Sequence, residues 1–225
     1  MRSIRNAYEA RHRFHAVNNA FTVCRLYRDA VNRMLAVSER GCGMWRDSSR
    51  GWGLASITIH WLSALAIVGL FALGWWMTEL SYYDAWYQLG PWWHKSVGML
   101  LLGLSMVRVV WRLTQPTPVA LGPRLERLAA HAGHALLYLL IFVVLISGYL
   151  ISTAEGQGIE VFDLFVFPAL VSELPNQATL AGEVHWYAAW ALMIFALGHA
   201  LAAFKHHLFD GNDTLRRMLD PRRSS

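Results

Sequence analysis

Four long stretches of this 225-residue chain are uncharged or nearly so, and no other feature limits its fold as strongly. Gly51 to Thr78 runs for 28 residues without a charge, Leu128 to Ala154 for 27 and Val184 to Phe204 for 21. A shorter run, Ser96 to Val107, has 12 residues. It becomes a span over Pro91 to Trp111 if Lys95 and Arg108 carry their charges to its ends. A bilayer core takes roughly 20 helical residues. The sequence therefore predicts an all-α transmembrane four-helix bundle, with spans at about 53–77, 91–111, 128–152 and 183–205. Composition agrees: 55% of residues are hydrophobic and 16% charged, against about 25% charged in a soluble domain. Cys24 and Cys42 cannot make a disulfide framework. No Cys-x-x-Cys-His occurs, which excludes covalent attachment of a c-type haem.

The net charge is +5 and the pI about 9.5, but the charge is not spread over one face as in a nucleic-acid binder. Residues 1–50 hold ten arginines against Glu9, Asp29, Glu39 and Asp47, and no Lys or Arg occurs from Leu128 to Phe204. The connection between spans two and three carries Arg108, Arg112, Arg124 and Arg127, and the tail over 208–225 is basic. The other two connections carry Glu79, Asp84, Glu155, Glu160, Asp163, Glu173 and Glu183 against the single cation Lys95. The positive-inside rule then puts both termini in the cytoplasm, as expected of a multi-pass membrane protein with four spans. Tyr82, Tyr83, Trp86, Tyr87, Trp92 and Trp93 form an aromatic belt at the far interface.

Gln115-Pro-Thr-Pro separates spans two and three, because closely spaced prolines cannot continue a helix. The apolar run 159–171 is too short to span, and reads as an interfacial helix or a re-entrant cover over the bundle, ended or kinked at Pro168. Residues 1–50 form a basic extension. Its first 43 residues lack a signal peptide's apolar core. They read either as an amphipathic helix, roughly Phe14 to Val37, on anionic lipid, or as untranslated sequence ahead of a true start at Met44. A chain from Met44 has 182 residues and no net charge.

Ionisable residues inside a span are costly, and the default reading is functional. Here they are almost all histidines. Fourteen residues separate His185 from His199, about 21 Å along a helix, and fourteen steps of 100° fall within about 40° of whole turns. One helix thus offers two imidazoles from nearly one face, one near each membrane surface. His94 lies at the outer level with His185, and His60 at the inner level with His199. Neutral imidazole is a common axial ligand of haem iron, so the pairs read as two His–Fe–His clamps. Gly69, Gly98, Gly103, Gly133, Gly148 and Gly198 would let flat porphyrins enter between helices. A proton relay competes, but such relays usually include buried carboxylates, and the spans have none. A zinc site would gather its ligands at one level.

These stretches resemble the bacterial cytochrome b561 family, related to the cytochrome b subunits of nickel–iron hydrogenase and formate dehydrogenase. The resemblance runs through Ile59-His60-Trp61, Trp93-His94-Lys95-Ser96-Val97-Gly98, Arg108-Val109-Val110-Trp111-Arg112-Leu113, Ala130-His131-Ala132-Gly133-His134, His185-Trp186, Leu197-Gly198-His199 and Lys205-His206-His207. It covers about Gly51 to Pro221. It implies a membrane cytochrome with two b haems, ligated by His60 with His199 and by His94 with His185, that exchanges electrons with ubiquinone. Lys95 is expected beside a propionate of the outer haem. His131 and His134, three apart on one face, read as a propionate contact, a quinone and proton site, or interfacial residues reaching headgroups. Arg108 and Arg112 read as positive-inside anchors or as propionate partners. The expected partners are lipid, quinone and a redox protein, and not nucleic acid. Two further activities stay open: superoxide oxidation coupled to ubiquinone reduction, and service as the membrane anchor of a hydrogenase or dehydrogenase. The acidic connections work against the first by repelling an anion.

Overall fold

A computed structural model describes residues 44–49, 51–119 and 122–220. The proposed amphipathic helix Phe14 to Val37 lies outside the described residues. Four helices dominate: α1 (Leu54–Met77), α2 (Trp86–Thr114), α3 (Arg124–Ser152) and α4 (Gln177–Leu208). Each is long and apolar enough to cross a membrane. A two-stranded antiparallel hairpin, β1 (Ile159–Val161) and β2 (Phe165–Phe167), lies between α3 and α4, and a short α5 (Thr214–Arg217) follows α4. The largest interhelix contacts are α3 with α4 and α1 with α2. We call the end with the acidic connections outer and the end with the basic linker and tail inner.

The helices overrun the expected spans. α2 begins at Trp86, not Pro91, and α3 begins at Arg124. Pro91 is the sixth residue of α2, where its missing N–H costs the helix the one bond to the Tyr87 carbonyl. The added turns carry aromatic and basic residues suited to an interface, which hydrophobicity counting leaves out. α2 ends where Gln115 turns extended, as the proline-rich linker dictates.

The inner end is laced together by hydrogen bonds. Asp47 is buried and accepts from the Gly53 amide at 2.7 Å and the Ser56 hydroxyl at 2.8 Å. Ser56 in turn accepts from the Trp111 indole at 3.0 Å. A Cβ at Gly53 would stand 2.5 Å from the Trp45 and Arg46 carbonyls, so only glycine lets the chain pass so close. The Val119 amide donates to the Ser49 carbonyl, and Arg217 donates to the Val119 carbonyl, both at 3.0 Å. Trp61 Nε1 donates to the Met218 carbonyl at 2.8 Å.

The outer connection corrects one expectation. Residues 159–171 form no interfacial helix but a hairpin, with Ile159 facing Phe167 and Val161 facing Phe165. β2 ends just before Pro168. Its turn holds Phe162 and Asp163 in the left-handed region, at φ 50° and 56°, without a glycine to make that easy. Packing supplies the compensation. The Phe162 amide donates to the fully buried Ser96 hydroxyl at 3.1 Å. Its ring packs edge-on against both Trp92 and Trp93, 5.1 Å from each. Trp92 Nε1 donates to Asp163 at 3.1 Å. Tyr149 grips the strand's exit: its hydroxyl donates to the Pro168 carbonyl at 3.0 Å and accepts from the Leu170 amide at 2.6 Å.

Candidate functional site

α4 projects His185 near its outer end and His199 near its inner end. The ring of His94 on α2 stands 6.1 Å from that of His185, and the ring of His60 on α1 stands 6.3 Å from that of His199. Two imidazoles bound to one metal from opposite sides, each through a metal–nitrogen distance of about 2 Å, have ring centres about 6 Å apart. Both pairs have that separation.

The outer pair borders an apolar cavity of about 390 Å³ reaching Leu70, Gly98 and Gly182. His185 Nδ1–H donates to the Val144 carbonyl at 2.9 Å, with the Ser147 hydroxyl 3.3 Å away. A carbonyl only accepts, so Nδ1 carries the proton and Nε2 keeps its lone pair, the tautomer a metal needs. Gly148, one turn beyond Val144, gives the ring its place: a Cβ there would lie 3.0 Å from Cε1. Gly74 does the same for His94, at 3.0 Å. His94 Nδ1 is buried without a hydrogen-bond partner among the described residues. The two outer histidines thus share one device, a glycine on the neighbouring helix that makes room for the ring.

At Gly98 and Gly182, beside the cavity, an added Cβ would meet nothing within 4 Å. Lys95, exposed at the mouth, also lines it. The residues of this end fit a flat apolar group with two axial ligands.

The inner pair is built differently. Arg108 donates from Nη2 to His60 Nδ1 at 2.8 Å and lies 5.3 Å from the Tyr138 ring centre. Since guanidinium only donates, Nδ1 is the acceptor here, and neutral His60 carries its proton on Nε2. His134 reaches the same place, its ring 5.2 Å from that of His199. Arg112 stacks on Trp52 at 4.7 Å, with Nη1 buried and unpartnered. The structure therefore gathers His60, His134 and His199 with Arg108, three imidazoles beside one guanidinium. His131 stays apart, exposed and bonded to the Arg127 carbonyl at 2.6 Å. A separate surface group, Glu126, His206 and Asp210, already holds the Lys205 ammonium, which lies 2.8 Å from Asp210 and 3.5 Å from Glu126.

Residues 51–221 match the family profile of the prokaryotic cytochrome b561. The chain belongs to that family. It is 48% identical to cytochrome b561 homolog 2 of Escherichia coli (strain K12) over 170 residues, 75% of this chain and 90% of that protein. It is 32% identical to the probable superoxide oxidase CybB of Yersinia pestis over 174 residues, 74% and 94% of the two chains. It is also 32% identical to cytochrome b562 of Cereibacter sphaeroides over 178 residues, 76% and 97%. Membership of the cytochrome b561 family makes this a membrane electron-transfer protein and implies haem b.

Gly74 and Val144 were not singled out by sequence reasoning, and Trp92 was read only as part of the interfacial aromatic belt. A glycine in a membrane helix at the depth of a neighbouring helix's histidine is the signal that finds Gly74. Nothing in the sequence marks the Val144 carbonyl, because every residue has one.

Proposed function

We propose that this cytochrome holds two b haems, one between His94 and His185 and one between His60 and His199, and carries electrons across the bilayer to or from ubiquinone. The observation behind this reading is one helix bearing two imidazoles about 21 Å apart, each opposed at 6.1–6.3 Å by another helix's imidazole. Haem supplies a one-electron couple when bound, and the chain does the rest. Val144 fixes the His185 tautomer, and the apolar cavity excludes water. At the inner end Arg108 and Arg112 offer charge to the propionates. Ligation through His60 Nε2 requires Arg108 to release Nδ1, and a carboxylate is the stronger acceptor for guanidinium. Lys95 serves a propionate at the outer end. His134 stands where a propionate or a quinone carbonyl would be met at the inner end, whereas His131 is left to the interface. The positive-inside rule supports a cytoplasmic inner end, and the proposed membrane is the inner one.

The name of the Yersinia pestis relative raises superoxide oxidation as a second reading. Seven exposed acids on the outer connections work against approach of an anion from that side, so we place it second.

Haem content tests the main reading. Purified protein should give two b haems per chain by pyridine haemochrome. His94→Ala or His185→Ala should each leave one, and so should His60→Ala or His199→Ala. A wild-type ratio near one overturns the double clamp, and a ratio near zero overturns the function.

A further inference from the structure

The outer face carries a feature that ligation does not use. Glu79, Asp84, Glu155, Glu160, Asp163, Glu173 and Glu183 are all exposed there. None has an ion-pair partner among the described residues, where every ion pair lies at the inner end. Amid these acids the tip of the hairpin projects Leu164, 81% exposed. The tip is immobilised. Phe162 and Asp163 are held in left-handed backbone by Ser96, Trp92 and Trp93. Those three residues flank His94 in the sequence, so the tip stands on the turn of α2 that carries an outer ligand. Left-handed backbone at bulky residues persists where surrounding structure over-determines it, commonly at functional sites. An exposed apolar tip on a face with seven carboxylates and one lysine has the form of a transient redox encounter surface, where charge steers the approach and a small apolar contact fixes the register.

We infer that this face docks a soluble redox protein with a cationic surface, received on the hairpin tip above His94 and His185. The inference rests on the reading that the outer site exchanges electrons. Its partner is defined by charge complementarity: seven carboxylates against one lysine favour a basic protein and reject an acidic one.

The test measures binding, which does not depend on haem, so haem loss stays separately visible. Full-length protein in nanodiscs of zwitterionic lipid is titrated by calorimetry with cytochrome c, a basic soluble haem protein, and with flavodoxin, an acidic one. Cytochrome c should bind at about 20 mM ionic strength and weaken at least tenfold by about 200 mM, where the screening length falls below about 8 Å. The triple variant Glu155→Lys, Glu160→Lys, Glu173→Lys, which brings the summed charge of the face to about zero, should lose at least tenfold in affinity for cytochrome c while keeping its haem. Salt-independent binding, no binding of cytochrome c, or an unchanged triple variant overturns the proposal. A second measurement covers the rival occupant, the lipid surface. In protein with Cys24→Ser and Cys42→Ser, a fluorophore on Leu164→Cys should be quenched by aqueous iodide. Quenching by brominated lipid instead puts the tip in the bilayer and also overturns the proposal.

Discussion

At Gly148 a single Cβ atom would lie 3.0 Å from Cε1 and 3.2 Å from Nδ1 of His185. Gly148→Val should therefore displace the ring. Overpacking of this kind costs about 1–3 kcal/mol, roughly a ten- to hundredfold loss of affinity for the outer haem at about 1.4 kcal/mol per decade. The haem-to-protein ratio and the low-spin electron paramagnetic signal of that haem measure it, and an unchanged signal refutes the packing argument. A second residue effect concerns pH. The Asp210 carboxyl is held below its ordinary value of 3.8, first by its hydrogen bond from Lys205 and then by that from His206. A lowered carboxyl value means the link is intact above 3.8 and is lost only as pH falls through the lowered value. Carbon NMR of Asp210 should show titration below 3.8 in wild type, and a return toward 3.8 in Lys205→Met.

Among elements, α1 depends on a cap that precedes it. Gly53 offers no side chain, so Asp47 reaches in from outside to take the Gly53 amide and the Ser56 hydroxyl. Asp47→Ala leaves both unpaired and loosens the Trp111 link, and should cost about 2 kcal/mol. The midpoint of unfolding in mixed detergent micelles reports it, with Asp47→Asn expected to lose less. The helices themselves were legible in the sequence, because α1, α3 and α4 each contain an uncharged run longer than the bilayer is thick. The hairpin was not. Val161-Phe-Asp-Leu-Phe165 holds no glycine and no Asn-Gly or Asp-Gly pair, the usual mark of a two-residue turn. Its strands are three residues each, and its apolar content suits an interfacial helix equally well. The turn is set by Trp92, Trp93 and Ser96, some 66 residues earlier in the chain, and no local pattern encodes such a partner.

For the molecule as a whole, the proposed orientation, with the inner end in the cytoplasm, rests on the positive-inside charge asymmetry. A cysteine placed in the tail, as Asn212→Cys, should resist a membrane-impermeant maleimide in intact cells, and one placed at Tyr83→Cys should react, both with Cys24→Ser and Cys42→Ser. The reverse pattern would invert the molecule and move the proposed docking face to the cytoplasm. Sequence alone determined the four-helix membrane architecture and the two levels of histidine. In a bilayer an uncharged run of some 20 residues satisfies its own backbone polar groups as a helix, and helical rise converts residue number directly into depth. Tertiary structure decided what depends on contact between distant segments. It chose His134 over His131 for the inner end, put the proton of His185 on Nδ1 through the Val144 carbonyl, and folded 159–167 into a hairpin against α2. Depth follows from counting along one helix, whereas tautomer, ring position and turn geometry follow from what a neighbouring helix presents within about 3 Å, the reach of a hydrogen bond.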